Sequence, residues 1–278
     1  MDENTSLSSL QRRSIDVLSL LINFLDENDI HYIIEGGTLI GAIRHNDIIP
    51  WDDDVDISII RPDYERLIQL QDQLPYPLKL AYWGNDPKHA YPFARVYDIS
   101  TSVSINHVKP ITRGVWVDIF PIDGTFEYYL PRILHIKSIL FLRLLITNLM
   151  GAYARKKLPV AKKIQYFIYG CISAFLGKKA LMHVHGKLSM LKNPLKSEVS
   201  ALVVSMAGDK TTQPTNLFIN RMKFSFHGLE CYGPVDYDKY LSKVYGDYMT
   251  PPPENKRNSL HQINSVDLTK SFMDVDPF

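Results

Sequence analysis

The spacing of apolar residues along the chain predicts a mixture of helices and short strands. Apolar residues recur every three or four positions from residue 6 to residue 28, which is typical of an amphipathic helix. The segment HYIIEGG predicts a buried strand ending in a glycine turn. TLIGAIRH predicts a short helix with Thr38 as its N-cap, and RPDYERLIQLQDQL a helix opened by Pro62. The patterns in LKLAYW, FARVYDIS and GVWVDIFPI predict three further strands.

The second half of the chain has a different pattern. Two or three basic, apolar helices are predicted from Glu127 to about Leu191. After them ALVVSM predicts a strand, KFSFHGLECYG a hairpin, and DYDKYLSKVYG a helix that ends at Gly246. We expect the last residues to be frayed. These elements indicate an α+β fold, with a mixed sheet flanked by helices. We divide it into residues 1–126 as the core, 127–198 as a helical insertion, and 199–278 as the part that completes the core.

The composition indicates a folded globular protein. The chain has 278 residues, of which 45% are hydrophobic and 22% charged, and this excludes disordered, collagen-like and coiled-coil classes. The two cysteines, Cys171 and Cys231, are too few for a disulfide framework and lie in no zinc-binding pattern. The N-terminal residues do not resemble a signal peptide. Every apolar run is interrupted by charges before the ~18 residues of a membrane span.

The charges are distributed unevenly although the net charge is only +1. Between Glu127 and Glu198 there are 13 Lys and Arg residues and no acidic residue. A basic, apolar helical segment of this kind predicts contact with an anionic membrane surface. The alternative is that these helices bury their apolar faces against the rest of the protein. Nucleic-acid binding is not expected, because no recognition motif is present. The predicted lipid-contacting residues are Ile136, Ile139, Leu140, Leu144 and Leu145, with Lys137, Arg143 and Arg155–Lys157 as the cations.

The densest chemical signal is the acidic run PWDDDVDIS. If a strand begins there, Asp54 and Asp56 project from one face while Val55 and Ile57 enter the core. Two adjacent carboxylates repel each other, and a hard divalent cation removes that penalty, so we predict a Mg²⁺ or Mn²⁺ site. Asp52 is expected to precede the strand and to matter less. The alternative is a solvated acidic loop.

Two further segments complete the candidate site. Gly36-Gly37 ends a strand and precedes a helix, where backbone amides form an anion cradle, although a Gly-Gly pair is often only a turn. Arg44 lies within reach of a phosphate, or alternatively pairs with Asp47. In VWVDIFPID, Asp118 shares a strand face with aromatic residues, where a carboxylate needs a partner. We interpret it as a third metal ligand or general base; the alternative is a carboxylate bonded to arginine or backbone. Asp123 is predicted to cap the following turn.

This order of strand, Gly-Gly, helix, Asp-x-Asp strand and later Asp is the pattern of the nucleotidyltransferase fold. Three segments resemble the signature blocks of the LicD family: GTLIGAIRHNDIIPWDDDVDIS, GVWVDIFPIDG and YLSKVYGDYMTPPPENKR. That family includes bacterial phosphocholine transferases and, more distantly, fukutin-type ribitol-phosphate transferases. The resemblance runs in order from about Gln11 to Arg257. One departure is Asp47, where the family often has glycine.

The resemblance implies metal-dependent transfer of an alcohol phosphate, most specifically phosphocholine, from a CDP-activated donor to a glycan hydroxyl, with release of CMP. Asp54, Asp56 and Asp118 would hold Mg²⁺ or Mn²⁺ and carry the catalysis. It also implies an acceptor on a lipid carrier and a peripheral location on the inner face of the cell membrane. The predicted donor-binding residues are Gly36, Gly37, Thr38, Arg44, Arg95 and Arg257, and the aromatic residues considered for the base or the alcohol are Trp51, Tyr82 and Trp83.

Two of these assignments have alternatives. The C-terminal block with Arg257 is either a donor-binding element or a clasp packed on the core. The reaction itself is either the one above or transfer of a nucleoside monophosphate from a nucleoside triphosphate, because both reactions cleave a pyrophosphate bound to metal. The leaving group separates them: CMP in the first and pyrophosphate in the second.

Overall fold

The computed structural model describes residues 3–107, 109–151, 159–257, 261 and 263–278, with side chains from residue 7 onward. The helices are α1 (Glu3–Glu27), α2 (Gly36–Arg44), α3 (Arg61–Gln69), α4 (Tyr129–Met150), α5 (Val160–Leu176), α6 (Lys178–Ser189), α7 (Thr215–Ile219) and α8 (Tyr237–Tyr245). The strands are β1 (Tyr32–Ile34), β2 (Asp56–Ile60), β3 (Leu78–Ala81), β4 (Ala94–Asp98), β5 (Ser102–Ile105), β6 (Ile111–Arg113), β7 (Trp116–Gly124), β8 (Val199–Ala201), β9 (Gln213–Pro214), β10 (Arg221–Phe226), β11 (Leu229–Pro234) and β12 (Ile263–Asp267).

The central sheet is mixed, with its strands in the order β1-β2-β7-β4-β3 and with β8 and β9 extending from the end of β7. β2 and β7 are parallel neighbours. The other pairings that the structure describes in this sheet are antiparallel. β12, β5 and β6 form a separate small sheet, and β10 and β11 form a hairpin. The α+β prediction is confirmed.

Helix α1 covers the sheet because its apolar stripe matches the helical repeat. Leu18, Leu21 and Leu25 of this stripe are fully buried, and the helix contacts β3, β4 and β7. On β4 every residue is buried, and on β7 all but Phe120 are. Both faces of the central strands are therefore covered, which makes the middle of the sheet a rigid support for the side chains at its edge.

The face of α4 that was predicted to contact lipid is instead part of the core. Ile136, Ile139 and Leu145 are buried, and Leu140 packs against the cluster that contains Phe93 and residues 201–204. For Ile136, Ile139, Leu140 and Leu145 the predicted lipid contact was wrong, because these side chains pack against protein; Leu144 is half-buried. By length and composition alone α4 is apolar enough to cross a membrane, and a third of that stretch is buried inside the protein. The predicted cations Arg155–Lys157 lie outside the described residues.

The C-terminal residues are ordered, contrary to the predicted fraying. β12 pairs antiparallel with β5, and Phe272 is fully buried. The ring of Phe278 stacks on that of Phe272, and its backbone oxygen accepts a hydrogen bond from Lys79 Nζ at 2.6 Å. The predicted strand ALVVSM is wrong beyond its first residue, since β8 covers Val199–Ala201 and shares only Ala201 with it. Long-range packing, which local sequence does not encode, orders this end of the chain.

Candidate active site

Sheet register aligns three of the predicted site residues. Asp56 on β2 lies opposite Asp118 on the parallel strand β7, and Asp118 lies opposite Arg95 on β4. Neighbouring strands are about 4.8 Å apart, so the three side chains follow one another across the sheet. The sheet thus brings together residues that are separated by up to 62 positions in the chain.

The carboxylates form a close cluster. One oxygen from each of Asp54, Asp56 and Asp118 lies within 4.8 Å of the others. Asp54 is in the loop just before β2, because the strand begins only at Asp56. Burial, together with the charges of Asp52 and Asp118, raises the pKa of Asp54 to about 8, although His261 opposes this rise. Burial and the charge of Asp54 raise the pKa of Asp56 well above its usual range.

These residues fit a hard divalent cation. The cluster offers three carboxylate oxygens, the ligand type that Mg²⁺ and Mn²⁺ prefer. Asp118 is 3% exposed. Within the described residues its Oδ1 accepts no hydrogen bond of ordinary geometry, although Arg95 Nε lies 2.5 Å away. A cation bound by the three carboxylates would relieve the repulsion that raises the two pKa values.

Asp52 belongs to the same cluster, which the sequence analysis did not expect. A Cβ added at Gly37 would lie 2.3 Å from Asp52 Oδ2, so the carboxylate packs directly against the start of α2. Burial and the charge of Asp53 raise the pKa of Asp52 to about 6, while a hydrogen bond with Asp54 lowers it. The glycine is required at this close approach, because any side chain would displace the carboxylate.

Gly36 also faces the cluster. Its φ of +53° lies in the left-handed region that favours glycine. A Cβ there would be 3.3 Å from Asp56 Oδ2 and 3.3 Å from the Tyr245 hydroxyl. Both glycines therefore bring the backbone at the start of α2 next to the carboxylates, and the predicted binding of an anion there stays a prediction.

Thr38 has a different role from the predicted N-cap. α2 begins at Gly36, and its N-cap is Glu35. Thr38 Oγ1 instead accepts a hydrogen bond from the backbone N–H of Asp56 at 2.8 Å. This contact joins α2 to the first residue of β2, so Thr38 positions Asp56.

Glu35 was missed by the sequence analysis although it lies directly before the glycines. It is buried, and its Oε1 accepts a hydrogen bond from the Tyr240 hydroxyl at 2.5 Å. Burial raises the pKa of Glu35 to about 7, although the hydrogen bond from Tyr240 opposes this rise. Tyr240 comes from α8, 205 residues away, and no local pattern indicates that contact.

Arg95 is at the predicted place but is already paired. Besides the 2.5 Å approach of Nε to Asp118 Oδ1, its Nη2 donates to Asp118 Oδ2 at 2.9 Å. Its guanidinium lies between the rings of Tyr91 and Trp116, with Cζ at 3.8 Å and 4.8 Å from their centroids. The side chain is 1% exposed. Asp118 therefore bonds to an arginine, which was the alternative, and it is also part of the carboxylate cluster. Phosphate binding by Arg95 stays a prediction.

His261 is a second residue that sequence reasoning missed. Its Nδ1 lies 3.1 Å from Asp53 Oδ1 and 3.5 Å from Asp54 Oδ2. Its backbone N–H donates to Asp53 Oδ2 at 3.2 Å, and its ring meets that of Trp116 edge to face. Asp53 and His261 are 208 residues apart, so spacing in the sequence contains no signal for this contact.

Arg44 and Arg257 converge on Trp51, beside the acidic run. The Cζ atoms of Arg44 and Arg257 lie 5.9 Å and 4.9 Å from the Trp51 ring centroid. Arg44 Nη1 donates to the Tyr248 carbonyl at 2.7 Å, and Arg257 Nε donates to the Pro252 carbonyl at 2.8 Å. Burial and the charge of Arg257 both lower the pKa of Arg44, so an anion between them would be stabilised.

The other aromatic and acidic candidates lie elsewhere. The ring of Trp83 packs against His185, and Tyr82 lines the same surface cleft. Asp123 does not cap a turn: it is fully buried on β7, and Arg61 Nε donates to it at 2.7 Å. Asp47 contacts His227 Nδ1 at 2.8 Å.

We expect the metal-free protein to lose stability as the pH rises from about 4 to about 8. Unfolded carboxyl groups titrate near 4, whereas the folded protein holds the pKa of Glu35 at about 7 and that of Asp54 at about 8. The folded state then binds more protons over this range, so its stability is greatest at low pH and declines through the folded pKa values.

The measurement is thermal unfolding at about pH 5 and about pH 8, in EDTA and in excess Mg²⁺. Mg²⁺ should raise the unfolding temperature more at the higher pH, because ligand carboxylates must be deprotonated to bind it. An equal increase at both pH values would contradict a metal site built from these carboxylates.

The chain is similar in sequence to proteins of known family. The family model described as "LicD/FKTN/FKRP, nucleotidyltransferase domain" matches residues 29–132. The matched segment contains the whole Asp54–Asp56–Asp118 cluster, both glycines, Arg44 and Arg95, whereas Arg257 and His261 lie outside it. The resemblance stated from the sequence motifs is confirmed.

One relative matches nearly the whole chain, and two others match a short stretch of it. The chain is 28% identical over 263 residues to the lipopolysaccharide cholinephosphotransferase LicD of Haemophilus influenzae, covering 92% of this chain and 96% of the relative. It is 45% identical over 51 residues to the ribitol 5-phosphate transferases FKRP of mouse and human, covering 18% of this chain and 10% of each relative. The chain is an enzyme of the phosphotransferase type.

Proposed function

We propose that this enzyme transfers an alcohol phosphate, most specifically phosphocholine, from a CDP-activated donor to a hydroxyl of a cell-surface glycan, with release of CMP. The single observation that carries the proposal is the cluster of Asp54, Asp56 and Asp118 beside the glycine-led start of α2, inside the segment that the LicD family model matches. The similarity over 92% of the chain to a lipopolysaccharide cholinephosphotransferase supports phosphocholine and a glycan acceptor. A nucleotidyltransferase-like arrangement of the sheet is part of the proposal.

The three carboxylates would hold Mg²⁺ or Mn²⁺. The cation would neutralise negative charge on the pyrophosphate of the donor. Arg44 and Arg257, which both approach the Trp51 ring, would contribute positive charge to donor binding, and Trp51 would contribute an aromatic surface for the cytosine. The start of α2 lies beside the carboxylates, and its amides would favour an anion there.

In the reaction, the acceptor oxygen attacks the phosphorus that bears the alcohol. A new phosphorus–oxygen bond forms, the bond to the CMP oxygen breaks, and the acceptor proton passes to Asp56 or Asp118. Asp56 is the favoured proton acceptor, since both carboxylate oxygens of Asp118 are in contact with Arg95. Arg95 would hold Asp118 in place during the transfer.

A cavity of about 340 Å³ beside Arg95 provides room for part of a substrate. Its lining combines aromatic and apolar surface with cationic groups, as in many ligand sites. Because Arg95 lines this cavity and also pairs with Asp118, a ligand there would lie next to the carboxylates. The lining residues that matter for this argument are Tyr91, Arg95, Tyr97, Ile105 and His107.

We also propose that the enzyme works at the inner face of the cell membrane, on an acceptor attached to a lipid carrier. Support comes from the stretch between Glu127 and Glu198, with its 13 basic residues and no acidic residue. An anionic membrane surface attracts such a segment with on the order of 1 kcal/mol for each basic residue close to it.

The deciding experiment offers the purified enzyme with Mg²⁺ a panel of CDP-choline, CDP-glycerol, CDP-ribitol and the four nucleoside triphosphates, together with a short glycan acceptor. The proposal expects CMP from one CDP-alcohol, and no CMP in EDTA. Release of pyrophosphate from a nucleoside triphosphate instead would favour the alternative, transfer of a nucleoside monophosphate.

A further inference from the structure

Helix α5 exposes most of its apolar residues, whereas a helix on a soluble core buries them. Phe175 is 90% exposed and Phe167 is 72% exposed. Within α5 only Ser173 is buried. The outer face of α5 is formed by the exposed residues Val160, Ile164, Phe167, Ile168, Ile172, Phe175 and Leu176.

The inner side of α5 is held against α4 through polar and small groups. Ser173 Oγ donates to the Leu145 carbonyl at 3.0 Å, and Asn148 Nδ2 donates to the Tyr166 carbonyl at 3.0 Å. A Cβ at Gly170 would lie 3.5 Å from Asn148 Nδ2, so the two helices approach closely there. Small residues and hydrogen bonds between helices are the usual contacts where the surroundings are as apolar as the side chains.

The surroundings of the outer face of α5 are cationic. Lys162 and Lys163 are exposed at the start of the helix, and Lys179 is exposed just after its end. α5 has 17 residues and is about 25 Å long, whereas a helix that crosses a bilayer needs about 20 residues, or about 30 Å. A helix with this combination of length, apolar face and terminal lysines is suited to lie along a membrane surface.

We propose that the outer face of α5 inserts into one leaflet of an anionic phospholipid bilayer, with α4 as the platform that joins it to the catalytic core. This deepens the membrane location in the proposed function and rests on it. It also moves the lipid contact from the core-facing residues of α4 to a different helix. The lysines contact anionic headgroups, and the phenylalanines contact acyl chains.

The test is co-sedimentation of the full chain with vesicles of phosphatidylglycerol and phosphatidylcholine. The double variant Phe167→Ser/Phe175→Ser should bind at least about tenfold more weakly, because removing one large apolar side chain from lipid contact typically costs a factor of ten or more. Both side chains are exposed, so the fold should be unchanged. Met222→Ser, an exposed position on β10, is the matched control and should bind as the parent does.

A depth measurement gives an independent readout. Phe167→Trp should show a blue-shifted indole emission with vesicles, and quenching by lipids brominated in their acyl chains. Equal binding of the parent and the double variant would overturn the proposal, as would absence of binding to phosphatidylglycerol vesicles at low salt. So would a chain that self-associates in solution through Phe167 and Phe175, since the face would then be an interface between copies.

The outcome is separable from that of the proposed function, because vesicle binding requires no donor. Transfer of the alcohol phosphate to a short soluble acceptor, measured as release of CMP, should be unchanged in the double variant. If vesicle binding depends on the two phenylalanines but no CDP-alcohol is cleaved, the surface stands while the proposed reaction fails.

Discussion

Asp56→Asn should lower the transfer rate by about three orders of magnitude and leave the protein folded. Asp56 lies beside Asp118 in the sheet, and its Oδ2 would be 3.3 Å from a Cβ at Gly36, so it contacts both the cluster and the start of α2. Loss of one preorganised group that stabilises transition-state charge typically costs about 10²–10³-fold, and here the metal ligand and the candidate proton acceptor are lost together.

The same substitution should make the metal-free protein more stable. The pKa of Asp56 is raised by burial and by the charge of Asp54, so ionisation of this carboxyl at neutral pH destabilises the fold. A neutral amide of the same shape removes that repulsion. Turnover and thermal unfolding in EDTA would be measured on the same preparations, with the exposed Asp72→Asn as control. Retained turnover would contradict a catalytic role for the cluster.

Arg95→Met should destabilise the metal-free protein by about 3–5 kcal/mol, because it leaves Asp118 buried without its partner. For a chain of this size, that corresponds to a fall of roughly 10 °C in unfolding temperature. Excess Mg²⁺ should recover part of the loss, since the cation provides Asp118 with a second positive partner. Turnover should also fall, because Asp118 loses the two contacts that hold it.

A matched substitution separates the general cost of removing a buried arginine from the part of the loss that Mg²⁺ can recover. Arg113 is as buried as Arg95 and lines the same cavity, but its Nη2 contacts Asp86 Oδ1, at 2.9 Å, rather than a carboxylate of the cluster. Arg113→Met should destabilise by a similar amount, yet Mg²⁺ should recover none of it, because Asp86 is not in the carboxylate cluster. Equal responses of the two variants to Mg²⁺ would indicate that Arg95 and Asp118 form only a structural ion pair.

Local sequence was sufficient wherever the contact partners are near in the chain. Asp52 to Asp56 lie within five residues, and Gly37 lies 15 positions before Asp52, so only the short helix α2 and one loop separate them. The fold class followed from the apolar repeat, because burial of a helix stripe or a strand face requires that repeat. Motifs of this kind also carried the family resemblance.

Contacts between distant segments could not be predicted in the same way. The pairing of Arg95 with Asp118, and the approach of His261 and Tyr240 to the acidic residues, depend on strand register and on where the C-terminal segments pack. A strand pattern shows which residues share a face, but not which neighbouring strand supplies the opposite charge.

The sequence by itself determined the acidic cluster, the glycine-led helix, the α+β class and the basic, apolar character of the middle segment. Only the tertiary structure decided which apolar residues of that segment are covered. The stripe on α4 and the outer face of α5 are equally apolar in the sequence. Ile136 and Ile139 are buried because the core packs against them, whereas Phe167 and Phe175 have no protein over them in the part of the chain that the structure describes. Hydrophobicity is a property of the residue, but burial requires a partner surface, and that partner is supplied by the fold.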